Sequence, residues 1–193
     1  YYNKPPQEGL YQHFAGISSN TSLPCIIYNV PSRTVTNIKA KTVSRLSQID
    51  NIVGIKEASG DFEQISKIIS NTPHDFKVWS GNDGDTLAIL SLGGYGVVSV
   101  LSHLVGSQIK SMIDGFVDGA NEAAASIHHR LLPLVDSMFI VANPIPLKYA
   151  MMMVGFDVGG TRLPLAGLDD STSAEIMDEV VKHSIDLPVS SNT

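Results

Sequence analysis

Lys56 is the residue of this chain whose type and setting most directly suggest chemistry. It closes the run Ile52-Val53-Gly54-Ile55-Lys56, and of nine lysines it alone ends an apolar, strand-like segment. An amine held among apolar neighbours loses hydration, which disfavours its charged form and leaves a nucleophile able to attack a carbonyl and form a Schiff base. The plainer alternative is a lysine that snorkels from a strand rim or pairs with Glu57 or Asp61. Tyr28 ends the preceding apolar run, Cys25-Ile26-Ile27-Tyr28, at the matching level. Its phenol both donates and accepts, so it could pass protons to and from the carbinolamine and imine that Lys56 would create. Alone, a strand-end tyrosine is ordinary core with a tethered hydroxyl. Pro31-Ser32-Arg33 follows within one loop, where a guanidinium suits either bidentate recognition of a carboxylate or simple solvation. Tyr1 and Tyr2 precede the rigid Pro5-Pro6 segment and could present an aromatic ring to a pocket or a neighbouring subunit.

Other polar groupings read as structural. Asn82-Asp83-Gly84-Asp85 lacks the ligand spacing and closing Glu of a calcium loop and suits a helix entry instead. His128 and His129 are adjacent, hence on different faces of a helix, and lack the spacing of a metal pair. Gly93-Gly94-Tyr95-Gly96 precedes a strand, whereas a dinucleotide fingerprint must follow one and open a helix. Cys25 is the only cysteine, so no intrachain disulfide is expected and a reducing, cytoplasmic setting is the default. Neither a metal nor a dissociable cofactor is expected.

These residues need a scaffold, and the chain supplies an alternating one. Helical spacing over Glu8 to Asn20, Lys39 to Leu46, Asp61 to Ile69 and Asp85 to Leu92 is interleaved with apolar runs at Cys25 to Asn29, Ile52 to Lys56, Phe76 to Ser80 and Gly96 to Val100. Apolar strands separated by helices predict a parallel sheet covered on both faces, an α/β architecture. From Leu104 onward only helices are expected, through Gly115, Glu122 to Leu134, Ile145 to Val154 and Ser173 to His183. The expected organisation is therefore 1–103 as strand-helix units, 104–187 as helices, and 188–193 as a flexible polar tail. Four parallel strands admit either a small doubly wound sheet or half of an eight-stranded barrel.

Composition narrows the partners. Of 193 residues, 43% are hydrophobic and 17% charged, enough apolar material to fill a core. The formal charge of −6, without a Lys/Arg run, offers no footprint for nucleic acid or an anionic membrane. The longest apolar stretches, such as Met151 to Phe156, fall far short of the ~20 residues that span a bilayer.

Five segments, in order, carry a resemblance. They are Tyr1-Tyr2-Asn3-Lys4-Pro5-Pro6-Gln7-Glu8-Gly9, Tyr28-Asn29-Val30-Pro31-Ser32-Arg33-Thr34, Gly54-Ile55-Lys56-Glu57-Ala58, Gly93-Gly94-Tyr95-Gly96-Val97-Val98-Ser99-Val100 and Arg162-Leu163-Pro164-Leu165. Together they resemble the dihydrodipicolinate synthase (4-hydroxy-tetrahydrodipicolinate synthase) family of pyruvate-dependent class I aldolases. The resemblance implies the second half of a TIM (β/α)8 barrel followed by a C-terminal helical domain. It implies condensation of pyruvate with aspartate semialdehyde on the diaminopimelate route to lysine, through a covalent Schiff base and without a cofactor. By position, Lys56 is similar to the Schiff-base lysine, Tyr28 to the proton donor and acceptor, and Tyr2 to a relay tyrosine that enters a neighbouring subunit's site. Arg33 is similar to the residue that holds the semialdehyde carboxylate, Val98 to a pyruvate-contacting strand residue, and Tyr1 to a position lining a lysine-inhibitor site. A homo-oligomer, a dimer or a dimer of dimers, is implied as well.

The first four strand-helix units of such a barrel are absent from the 193 residues, and a barrel of this kind takes ~250 residues. The chain is thus expected to be the C-terminal two-thirds of a larger enzyme, with little synthase activity by itself. An N-acetylneuraminate lyase or 2-keto-3-deoxy-sugar aldolase would keep Lys56 and Tyr28 and change the second substrate. A truncated, inactive half-barrel would keep the fold and form no adduct.

Overall fold

The computed structural model of the chain describes residues 2–187. It divides into two units, one ending at Val98 and one beginning at Ser99.

The first unit runs α1 (Gln7–Ser18), β1 (Cys25–Asn29), α2 (Pro31–Thr34), α3 (Ala40–Leu46), β2 (Ile52–Glu57), α4 (Phe62–Ser70), β3 (Lys77–Ser80), a 3-10 turn (Asp83–Asp85), α5 (Thr86–Ser91) and β4 (Gly96–Val97). All neighbouring strands pair in parallel, in the order β1-β2-β3-β4. Local chemistry sets the helix starts. Asp61 caps α4 by accepting the Gln64 N–H at 2.9 Å, and Pro31 opens α2 where its missing N–H costs nothing.

Ile27, Ile55 and Val78 project from one face of the sheet into a core with Ile38, Val43, Leu46, Ile65, Ile68 and Ile89. Each such side chain contributes about 1.5–3 kcal/mol on burial, so this face holds the unit together. The opposite face is open, contrary to the expectation of two covered faces. Ile26 and Tyr28 are exposed and Lys56 and Trp79 half-buried, because side chains alternate across a strand and the buried apolar positions all fall on one side. Consecutive strand order with helices against a single face distinguishes this sheet from a doubly wound one, which reverses its order and carries helices on both faces. It is half of a (β/α)8 barrel, with the open face turned toward the barrel interior.

Two further differences from the sequence reading concern the site. The four-residue helix α2 occupies what reads as a loop, and β4 keeps only Gly96–Val97 of the expected Gly96 to Val100. The Val98 N–H nonetheless donates to the Ser80 carbonyl at 2.9 Å, extending the ladder by one residue.

The second unit is helical: α6 (Ser102–Val117), α7 (Asn121–Met138), α8 (Ile145–Met153) and α9 (Asp170–Val180). Helix α6 packs on α7, and α7 and α8 pack on α9, burying Leu104, Leu134, Met138, Ala150 and Ile176. Helix α6 breaks at Val105 (φ −133, ψ 37), and the Asp186 carboxylate accepts the Ser107 N–H just past the break at 2.6 Å. The expected tail, 188–193, lies outside the described residues. No described helix is long and apolar enough to cross a membrane.

Candidate active site

Tyr28, Lys56 and Trp79 share one register level across β1, β2 and β3 and one face, the open one. The Lys56 Nζ stands over the Tyr28 ring, 4.2 Å from its centroid. Strand pairing alone accounts for this meeting, because residues in parallel register project side by side. Tyr28 is 44% exposed on this face of the sheet. Gly81 makes room beside Lys56. A Cβ there would lie 3.2 Å from the Lys56 Cε and 2.6 Å from the Ala58 Cβ. Below the pair, the Trp79 indole covers Gly54 and meets Tyr95 edge-on, with ring centroids 5.3 Å apart.

One residue further along each strand, Asn29, Glu57 and Ser80 form the next level on the helix-covered face, all buried. Glu57 is 0% exposed, and its carboxylate accepts from Asn29 Nδ2 at 3.0 Å, the Ser59 N–H at 2.8 Å and Gln64 Nε2 at 3.4 Å. Asn29 Nδ2 also donates to Asn37 Oδ1 at 2.8 Å, and the Ile38 N–H donates to Asn29 Oδ1 at 3.0 Å. Asn37 and Gln64 exchange amide hydrogen bonds at 3.0 and 3.1 Å. This cluster went unread in the sequence, although its signal is there: an amide and a carboxylate directly follow Tyr28 and Lys56 in otherwise apolar strands. It also turns the Glu57 carboxylate away from Lys56. Glu57 points to the opposite face, and Asp61 is engaged in capping α4.

Arg33 sits on α2, exposed, with its N–H bonded to the Val30 carbonyl at 3.0 Å. The turn ends at Val35 in a left-handed conformation (φ 54), costly for a β-branched residue, so the path of this segment is held by its surroundings. Val98, 43% exposed, follows β4. Tyr2 is 87% exposed, and Tyr1 lies outside the described residues. The structure thus brings Lys56 and Tyr28 into contact, sets Val98 on the same sheet, and leaves Arg33 and Tyr2 at the surface. A cavity of about 470 Å³ adjoins Tyr28 and Asn29 and reaches His13, Phe14 and Ile38 along the β1 edge. A second, of about 350 Å³, lies at the other end of the strands against Ile52 and Phe76. Among the described residues no group of three His, Cys, Asp or Glu side chains is placed to hold a metal ion. The available chemistry is that of an accessible amine beside a phenol.

The same pattern occurs in known proteins. The model of the dihydrodipicolinate synthetase family matches residues 1–183. A 4-hydroxy-tetrahydrodipicolinate synthase of Dehalococcoides mccartyi is 59% identical over 189 residues, covering 98% of this chain and 64% of the relative. One of Bacillus velezensis is 53% identical over 170 residues, covering 88% of this chain and 59% of the relative. Among solved structures, dihydrodipicolinate synthase from Cyanidioschyzon merolae with lysine bound superimposes with a TM-score of 0.92 at 46% identity, covering 94% of this chain and 62% of that one. The Bacillus anthracis enzyme gives 0.93 at 44% identity, covering 95% and 63%. The chain therefore spans less than two thirds of the length of these relatives, as the second half of a (β/α)8 barrel followed by helices. With four strands in barrel order, a lysine and a tyrosine meeting at their ends, and a family model matched over all but the last ten residues, this chain belongs to the dihydrodipicolinate synthetase family.

Proposed function

We propose that the protein is a Schiff-base lyase that condenses pyruvate with L-aspartate semialdehyde to 4-hydroxy-tetrahydrodipicolinate, in the cytoplasm, on the route to diaminopimelate and lysine. The observation that carries this reading is the placement of the Lys56 Nζ 4.2 Å from the Tyr28 ring on the open face of the sheet. The curated relatives, named 4-hydroxy-tetrahydrodipicolinate synthase, support this choice of product.

The Lys56 amine attacks the pyruvate carbonyl carbon, the carbinolamine loses water, and an imine joins Nζ to the substrate. Loss of a methyl proton gives the enamine, whose terminal carbon attacks the semialdehyde carbonyl; the semialdehyde's amino group then displaces Nζ at the imine carbon, closing the ring and freeing Lys56. Tyr28, whose ring faces the Lys56 Nζ, is assigned to pass these protons. No cofactor is required, because the imine itself is the electron sink. Arg33 supplies a guanidinium for the semialdehyde carboxylate, and Val98 an apolar contact for pyruvate. Tyr2 is assigned as a relay used by a neighbouring subunit of a homo-oligomer, and Tyr1 to an inhibitor site at the dimer interface.

The test is product formation by the intact protein from the two substrates, compared with Lys56→Ala. Turnover that requires both substrates and vanishes in the variant supports the reading. Turnover of a sialic acid or keto-deoxy sugar instead, or activity retained without Lys56, overturns it.

A further inference from the structure

The buried polar cluster behind the sheet is not part of the proton-transfer chemistry, yet it joins the residues that immediately follow Tyr28 and Lys56. Asn29 Nδ2 bridges directly to both oxygens of Glu57 at 3.0 Å, across the β1–β2 ladder. Backbone bonds reinforce the same level. The Asn29 carbonyl accepts the Ala58 N–H at 2.9 Å, and the Glu57 carbonyl accepts the Gly81 N–H at 2.7 Å. Gln64 then anchors the carboxylate to α4, and Asn37 anchors Asn29 to the segment entering α3.

A fully buried carboxylate is costly unless every lone pair is used, and here it draws only on N–H donors. Its presence one residue after Lys56, where an apolar side chain could pack like Ile55, calls for a reason. The geometry points to one. We infer that Glu57, held by Asn29 and Gln64, is a positioning residue that sets the separation and mutual orientation of Lys56 and Tyr28. Strand direction fixes which residues face each other, but it does not fix strand-end offsets of a fraction of an ångström. A side-chain clamp at the last rung does, and small displacements of reacting groups are expensive in rate.

This inference rests on reading Lys56 as the imine-forming amine and Tyr28 as its proton partner. The test uses two variants. Glu57→Gln keeps the shape but turns an amide donor toward other donors. Gln64→Met removes the outer anchor and leaves the Asn29–Glu57 bridge, so it keeps the fold should Glu57→Gln lose it. Two readouts separate positioning from bulk stability. The first is the upfield ring-current shift that the Tyr28 ring imposes on the Lys56 ε-methylene, read by NMR with labelled lysine. The second is the rate of borohydride-trapped pyruvate adduct formation in the intact protein, with the kcat against KM split.

Glu57→Gln is expected to lose most of the ring-current shift and to slow trapping roughly 10- to 100-fold. KM for pyruvate should change little while kcat falls. Gln64→Met should move both readouts in the same direction by less. Folded variants that keep the wild-type shift and trapping rate overturn the inference. If the wild-type protein forms no pyruvate adduct, the catalytic reading fails instead, and the positioning of Lys56 on Tyr28 is then decided by the ring-current shift alone.

Discussion

Gly54→Ala puts the sheet that carries Lys56 to a quantitative test. Gly54 lies two residues before Lys56 on the same face and pairs with Lys77 of β3. A Cβ there would come closer than 3.0 Å to both the Lys77 carbonyl oxygen and Cζ3 of Trp79, and 3.1 Å from the Lys77 carbonyl carbon. The indole can rotate away, but the carbonyl belongs to the β2–β3 ladder and cannot move unless the strands part. Overpacking of this kind costs about 1–3 kcal/mol, and a backbone clash belongs at the upper end. Since 1 kcal/mol shifts Tm by about 4–8 °C in a domain of 60–100 residues, a cost near 3 kcal/mol lowers the melting of the first unit by roughly 12–24 °C. Gly16→Ala is the control. Gly16 lies in α1 with nothing within 4 Å of an added Cβ, so the change should stabilise by roughly 0.5–1 kcal/mol. Thermal melts followed by circular dichroism give both numbers. A Gly54→Ala protein melting within about 4 °C of wild type would refute the close approach of β2 and β3.

Three further outcomes follow from the site and its support. Tyr28→Phe keeps the ring under Lys56 and deletes the hydroxyl, so steady-state kinetics should show kcat down roughly a hundredfold or more with pyruvate KM little changed; wild-type kcat would remove Tyr28 from proton transfer. Arg33→Ala should raise KM for the semialdehyde more than for pyruvate, because the exposed guanidinium is assigned to the second substrate's carboxylate; equal effects on both would dismiss that assignment. The Thr172 N–H, then the Ser171 and Thr172 hydroxyls, hold the Asp169 carboxyl down to about 2 from its ordinary 3.8. A depressed folded-state value means that its support of α9 is complete above pH 3.8 and is lost as pH falls toward about 2. A carbon-13 titration of Asp169 with its midpoint at the ordinary value would contradict the cap.

Much of this arrangement is legible in the residues. Apolar runs ending in Tyr28 and Lys56 placed both side chains at strand ends, and the capping chemistry of Asp61 placed α4. What escaped had no local pattern. The open face of the sheet depends on which layer stands against it, and the composition of a strand such as Cys25 to Asn29 carries no record of that. Helix α2, four residues long, has too few positions for a periodicity. The Asn29–Glu57 bridge joins residues 28 apart, and each looks from sequence like the polar end of a strand. The buried cluster becomes visible only when the parallel register sets the two side by side.

The most direct measurement is reductive trapping: pyruvate and borohydride added to the intact protein, followed by peptide mass spectrometry. A single reduced adduct on Lys56, abolished in Lys56→Ala, is the expected result. An adduct on another lysine, labelling that persists in Lys56→Ala, or no adduct at all would contradict the assignment of this amine as the nucleophile.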